Sequence, residues 1–363
     1  MVSDPFTRRT ALRGLMTSVA AIAADRVMSG ESRFTRTKTI TTRRASGATV
    51  AAKTLSEPGV TTTSWLSGFG DDKAVNVAGG ALAAWRGEPT TFARIWADAS
   101  LRQMAGVWMM DAYTTARWPG TLDIACGGPR DGQTWATAAT GGMDSTWQAT
   151  CRKVLAGWGS LAEVHLSMAH ELNGNWYPWS VNSTNAADFK IAWRRWYNVV
   201  QTELVAKGKN AKVCLNLNSD TSSGVSMLSI LPPMEYVDLL GCDFYSMWPD
   251  LTTQTLWDRN RLTKKADGAP RGIQSWFDWA KAMGKTLTFP EWAINSQTQS
   301  DNPFFIEAMR TIFAANAPTP GMPPGPGQMA GEAYFNAKSQ TRLWPTTAVP
   351  NSAVRYQQLN FGA

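Results

Sequence analysis

Residues 166–179 read Leu166-Ser167-Met168-Ala169-His170-Glu171-Leu172-Asn173-Gly174-Asn175-Trp176-Tyr177-Pro178-Trp179. An apolar run ends in a carboxylate, and a loop dense in amides and aromatic rings follows. A second stretch, Thr286-Leu287-Thr288-Phe289-Pro290-Glu291-Trp292, has the same layout: an apolar strand delivers a glutamate beside a tryptophan. In a parallel barrel the C-terminal strand ends converge on one mouth, where active sites form. Two such strand-end glutamates therefore point to a barrel and to a paired-carboxylate site.

Working outward, short β-rich runs alternate with amphipathic helical stretches from about residue 59. Strands are expected at 60–67, 105–110, 121–125, 163–170, 211–217, 236–243, 285–291 and 331–336. Helical periodicity is clear where Asp144-Ser145 precedes Trp147 and Val154. It recurs over 186–206 (Phe189, Trp193, Trp196, Val200) and 272–283 (Ile273, Trp276, Phe277, Ala280). Runs such as Val213 to Leu217 and Leu239 to Phe244 are mostly apolar, as expected of strands covered on both faces. Eight strands with intervening helices predict a single α/β domain, a (β/α)8 TIM barrel over 59–363. The Pro/Gly-rich stretch 317–328 leaves only about 35 residues behind it, too few for a second core, so it is read as a surface loop closing the barrel.

The chain has 363 residues, 44% of them hydrophobic and 17% charged, with a net charge of +7. Residues 1–53 carry ten Lys/Arg and three acids, which leaves 25 of each sign in the remainder. The basic character belongs to the leader, and the neutral body argues against a nucleic-acid partner. No run of 18 apolar residues exists, so stable membrane insertion is not expected. Thr7-Arg8-Arg9-Thr10-Ala11-Leu12-Arg13 has the layout of a twin-arginine export signal. An apolar stretch from Leu15 to Ala24 and a small-x-small site at Ala21-Ile22-Ala23 follow. Residues 1–23 are read as an export signal and 24–58 as a flexible linker; a basic tail is the alternative for the leader. Export implies a secreted or periplasmic protein, expected to be a monomer.

Several chemistries are excluded. Trp279 occupies the first glycine position of a phosphate loop ending at Gly284-Lys285-Thr286. Gly157-x-Gly159-x-x-Ala162 follows a helix and precedes a strand, the wrong order for dinucleotide binding. His170-Glu171 lacks the second histidine of HExxH, and His165 is the only other histidine, so neither a metal nor a cofactor is implied. Cys126, Cys151, Cys214 and Cys242 show no CxxC spacing; one or two disulfides and buried free thiols are both open.

Paired carboxylates at one mouth suit retaining glycoside hydrolysis. One attacks the anomeric carbon and the other protonates the leaving oxygen, which requires a separation of about 5–5.5 Å. All eighteen tryptophans lie beyond residue 64. Trp193, Trp196, Trp276 and Trp279 fit helix packing, whereas Trp176, Trp179, Trp248 and Trp292 are placed in a sugar-binding cleft.

The segment His170-Glu171-Leu172-Asn173-Gly174-Asn175-Trp176-Tyr177-Pro178-Trp179 resembles the acid/base motif of glycoside hydrolase family 26, retaining (β/α)8 enzymes best known as endo-β-1,4-mannanases. Tyr236-Val237-Asp238-Leu239-Leu240-Gly241-Cys242-Asp243-Phe244-Tyr245 resembles the family's YVDxxGxDxY strand, and Ala333-Tyr334-Phe335-Asn336 its last strand. The resemblance implies that Glu171 is the general acid/base on strand four and Glu291 the nucleophile on strand seven. Tyr245 would hydrogen-bond the nucleophile, His170 would support the acid/base, and Trp176 would form a sugar platform. Asn173 joins them among the expected substrate contacts.

Two departures touch substrate contacts. Ser167 stands where the family commonly has an arginine four residues before the acid/base. No histidine precedes His165, so a sugar-binding histidine of an earlier strand is missing. His165 itself reads as a packing residue. The expected partner is a polysaccharide or oligosaccharide, β-mannan first. The same chemistry on a β-1,3/1,4-glucan, a β-1,3-xylan or a bacterial exopolysaccharide is the alternative within enzymes. A non-catalytic carbohydrate-binding barrel is the alternative outside them.

Overall fold

The computed structural model describes residues 65–247 and 251–362; the expected leader and linker lie outside the described residues. Eight parallel strands close into a barrel in chain order. They are β1 (Leu66–Gly70), β2 (Phe92–Ala97), β3 (Thr121–Cys126), β4 (Glu163–Met168), β5 (Ala211–Asn218), β6 (Leu239–Tyr245), β7 (Thr286–Ala293) and β8 (Met329–Phe335). The last strand pairs with the first, Phe69 opposite Tyr334. The expected TIM barrel is therefore the observed fold.

Seven of the eight expected strands overlap an observed one; of the expected strand 60–67 only the last residues fall among those described, and there β1 begins at Leu66. The exception is instructive. The apolar run 105–110 is no strand: the helix Leu101–Gly106 ends at Val107 in a left-handed conformation (φ 37°), and the helix Met110–Ala116 follows. Val107, Met109 and Met110 are buried by helix packing, which a short apolar run cannot be distinguished from in sequence. The real second strand is Phe-Ala-Arg-Ile-Trp-Ala, and Arg94 at its centre disguises it.

Helices cover the barrel. Asp144–Ala156, Ala186–Glu203 and Ile273–Ala282 fall where the periodicity placed them. Trp147 and Trp196 meet edge to face between two of them, and Trp193 donates its indole N–H to the Tyr236 carbonyl at 2.7 Å. All four cysteines are buried free thiols. Among the described residues no helix is long and apolar enough to cross a membrane.

The barrel interior is layered. Residues of alternate parity face inward, so the inward set on each strand climbs from base to mouth. At the base, Leu66, Thr121, His165, Lys212 and Leu239 line a cavity of about 680 Å³, capped by Pro318, Met322 and Pro324. The 317–328 loop therefore closes the N-terminal end. Barrel interiors are ordinarily packed with branched apolar side chains. Here the middle layer is polar: Arg94, Asp123, Ser167, Asn216 and Asp243 are all buried there.

Candidate active site

Glu171 lies just beyond the end of β4, where the chain turns sharply. Ala169 and Glu171 both take positive φ (52° each), a conformation that costs non-glycine residues on the order of 1–3 kcal/mol. The turn is held because the Glu171 amide donates to the Asn216 carbonyl on β5 at 2.9 Å. The carboxylate accepts from Asn218 Nδ2 (2.6 Å) on one oxygen and from Trp176 Nε1 (2.9 Å) on the other. Asn218 is the last residue of β5, so two adjacent strand ends build this half of the site.

Glu291 is on β7 and also faces the mouth. Tyr245 at the end of β6 donates its hydroxyl to Oε2 at 2.7 Å. Trp96 on β2 donates to Oε1 at 2.8 Å, and Arg94 Nη2 lies 3.5 Å from the same oxygen. Both glutamates are nearly inaccessible to solvent.

The polar middle layer joins the two halves. Arg94 is ion-paired with Asp123 and donates to Asn216 Oδ1 at 2.8 Å; Asn216 in turn donates to Asp243 Oδ1 at 2.9 Å. Ser167 donates to Asp123. Ser167, at the position where family 26 commonly has an arginine, supplies a hydroxyl, and the buried guanidinium of this layer comes from Arg94 on β2. Burial, then the charges of Glu291 and Glu171, push the Asp243 carboxyl well above the carboxylate range.

Beside Glu171, His170 Nε2 lies 3.2 Å from the Tyr177 hydroxyl and 3.7 Å from Asp98 Oδ2. Burial raises Asp98 to about 6 against the opposing pull of Arg130. His170 is itself buried.

Three expected sugar contacts are corrected. Trp179 is fully buried: it stacks on Tyr177 at 4.4 Å, donates to the His170 carbonyl, and packs against Gly128, where a Cβ would come within 2.3 Å of it. It is the core of the 169–180 loop. Trp292 points outward from β7 into the helical layer, against Tyr334, and donates to Glu332. The neighbour of an inward-facing strand residue must face the other way. Asn173 is buried and clamps Asn218 through its carbonyl and amide, 2.8 Å each, so it positions the residue that holds Glu171. Trp248 lies outside the described residues. Trp176 remains half-exposed at the mouth.

His165 faces the barrel interior, 2.6 Å from Glu163 and against Phe92. Arg94, Trp96, Asn216 and Asn218 belong to no motif that marks them in the sequence. The alternation Arg94-Ile95-Trp96 carried a period-two signal for the first two. Among the described residues no cluster of His, Cys, Asp and Glu is arranged to hold a metal ion.

No protein-family model and no curated protein matches the chain. Solved structures do match. A family 26 β-mannanase from Bacteroides ovatus has a TM-score of 0.51 at 13% identity, over 82% of this chain and 88% of that one. An endo-1,4-β-D-mannanase from Thermotoga petrophila gives 0.52 at 10%, over 81% and 98%. Fungal β-1,4-galactanases give 0.52 at 12%, over 81% and 99%. At these identities the likeness is one of fold, and that fold is the (β/α)8 barrel these glycosidases share.

Proposed function

We propose that the protein is an exported, retaining endo-β-glycosidase of the family 26 kind, acting as a monomer, with β-mannan as its first candidate substrate. The observation that carries this reading is the pair of buried glutamates facing one mouth, each seated by hydrogen-bond donors from neighbouring strands. Glu291 attacks the anomeric carbon. The glycosidic C–O bond breaks, its electron pair goes to the leaving oxygen, and Glu171 supplies the proton. Glu171, now ionised, takes a proton from water, which attacks C1 and releases Glu291 with the original configuration.

Half-exposed at the mouth, Trp176 offers a ring face for the sugar platform expected of it, and its N–H bond to Glu171 ties that platform to the acid/base. The structurally similar enzymes include a β-mannanase and β-1,4-galactanases, which supports the reaction class more than the sugar. Hydrolysis of purified mannans, xylans, glucans and bacterial polysaccharides tests the proposal. A product ladder from one of them, lost in Glu171→Ala and Glu291→Ala, is expected. Cell fractionation with sequencing of the mature N-terminus tests export; residues 1–23 retained on a cytosolic protein would count against it.

A further inference from the structure

We propose that strand β2 seats the nucleophile: Trp96 and Arg94 together fix Oε1 of Glu291, which leaves Oε2 as the atom that attacks. The proposal rests on the glycosidase reading and adds two positioning residues that the paired-carboxylate motif does not contain. Arg94 and Trp96 are two apart on one strand, so both face the interior. Oε1 accepts the Trp96 indole N–H at 2.8 Å and lies 3.5 Å from Arg94 Nη2. Oε2 accepts only from Tyr245 among the described residues. A carboxylate oxygen has two lone pairs in its plane. Oε1 has two donors within 3.5 Å and Oε2 has one, which leaves Oε2 a lone pair for the anomeric carbon.

Both donors are themselves held. Arg94 is fully buried between Asp123 and Asn216, so the guanidinium cannot swing away. The Trp96 ring meets Phe335 edge-on at 5.3 Å. It also lies over Gly70, where a Cβ would come within 2.7 Å of the ring, so strand β1 leaves the space the indole fills. The seat therefore sets the rotation of the Glu291 carboxylate about its last bond.

The test uses Trp96→Phe, which keeps the ring and removes the N–H, and Arg94→Lys, which keeps the charge and removes the fork. Each is assayed on whichever glycan the wild type cleaves, and each is crystallised. Misplacing a reacting group by about 1 Å costs on the order of 10²-fold. A fall of that order in kcat for Trp96→Phe is expected, with KM near the wild-type value, the folded fraction unchanged and the carboxylate rotated. Wild-type kcat in Trp96→Phe with Glu291 undisturbed would overturn the seat. A wild type inert on every glycan would overturn the glycosidase reading and the attacking-atom assignment with it. The carboxylate orientation in the variant crystals would then decide the seat alone.

Discussion

Arg94 and Glu291 stand 197 residues apart in the chain and meet inside the barrel, the guanidinium 3.5 Å from the carboxylate. The arginine's other face is ion-paired with Asp123, so one buried cation ties the proposed nucleophile to β3 and, through Asn216, to β5 and β6. Removing one partner of a buried pair leaves an uncompensated charge and costs about 3–5 kcal/mol. Arg94→Met is expected to lose stability on that scale in urea unfolding, and Asp123→Asn with Arg94→Met to recover part of it. A single Arg94→Met as stable as the wild type would contradict the network's role.

The aromatic corrections separate packing from binding. Trp179→Ala and Trp292→Ala each empty a fully buried site and should destabilise the fold by about 3–5 kcal/mol. Trp176→Ala, half-exposed at the mouth, should leave the unfolding midpoint close to wild type while glycan cleavage falls. Denaturation and kinetics on the three variants check this; a stable Trp292→Ala would mean the ring is not core.

Glu332, buried beneath Trp292, gives a pH signature. Burial pushes its carboxyl up from 4.5 to about 7, against the hydrogen bonds from Ser67 and Trp292. A raised value means the neutral form is the one the fold favours. Its contribution to stability is complete below the ordinary carboxylate range and is lost as pH rises through about 7. Relative to Glu332→Gln, the wild type should therefore lose up to about 3 kcal/mol between pH 5 and 8. Urea unfolding of both proteins across that range measures the gap. A gap that stays constant would show that Glu332 does not titrate differently on folding.

Cysteine chemistry is equally direct. Burial raises the Cys126, Cys214 and Cys242 thiols well above their usual range and Cys151 to about 12. Thiolates are the reactive form. A disulfide-forming thiol reagent should titrate none of the four in the native protein and all four in denaturant, and a reducing agent should not move the melting temperature. Fewer than four thiols after unfolding would reveal a bridge.

Much of the fold is written in local pattern. Strands at 163–168, 211–218 and 286–293 carry apolar residues at every second position, turned toward the helices, and stand out in sequence, as do the helices with tryptophan at 3.6-residue spacing. Both glutamates are legible because each closes such a strand. What hid was whatever the polar interior uses. Arg94 interrupts an otherwise strand-like hexapeptide, so the apolar run 105–110 outcompetes the strand that holds Oε1 as a sequence signal. The direction of a tryptophan was also hidden. Trp292 adjoins a site residue in sequence and for that reason points away from it, while Trp179 is drawn into its own loop by Tyr177 and Gly128. Asn218 carries no motif at all; only the closing of β5 beside the β4 turn brings it to Glu171.

The central claim is a double displacement between Glu171 and Glu291, and the stereochemistry of the first product tests it most directly. Proton NMR of a β-linked oligosaccharide during hydrolysis should show the β-anomer appearing first, followed by mutarotation. Glu291→Ala should abolish the signal. The α-anomer appearing first, or undiminished hydrolysis by Glu291→Ala, would contradict the account.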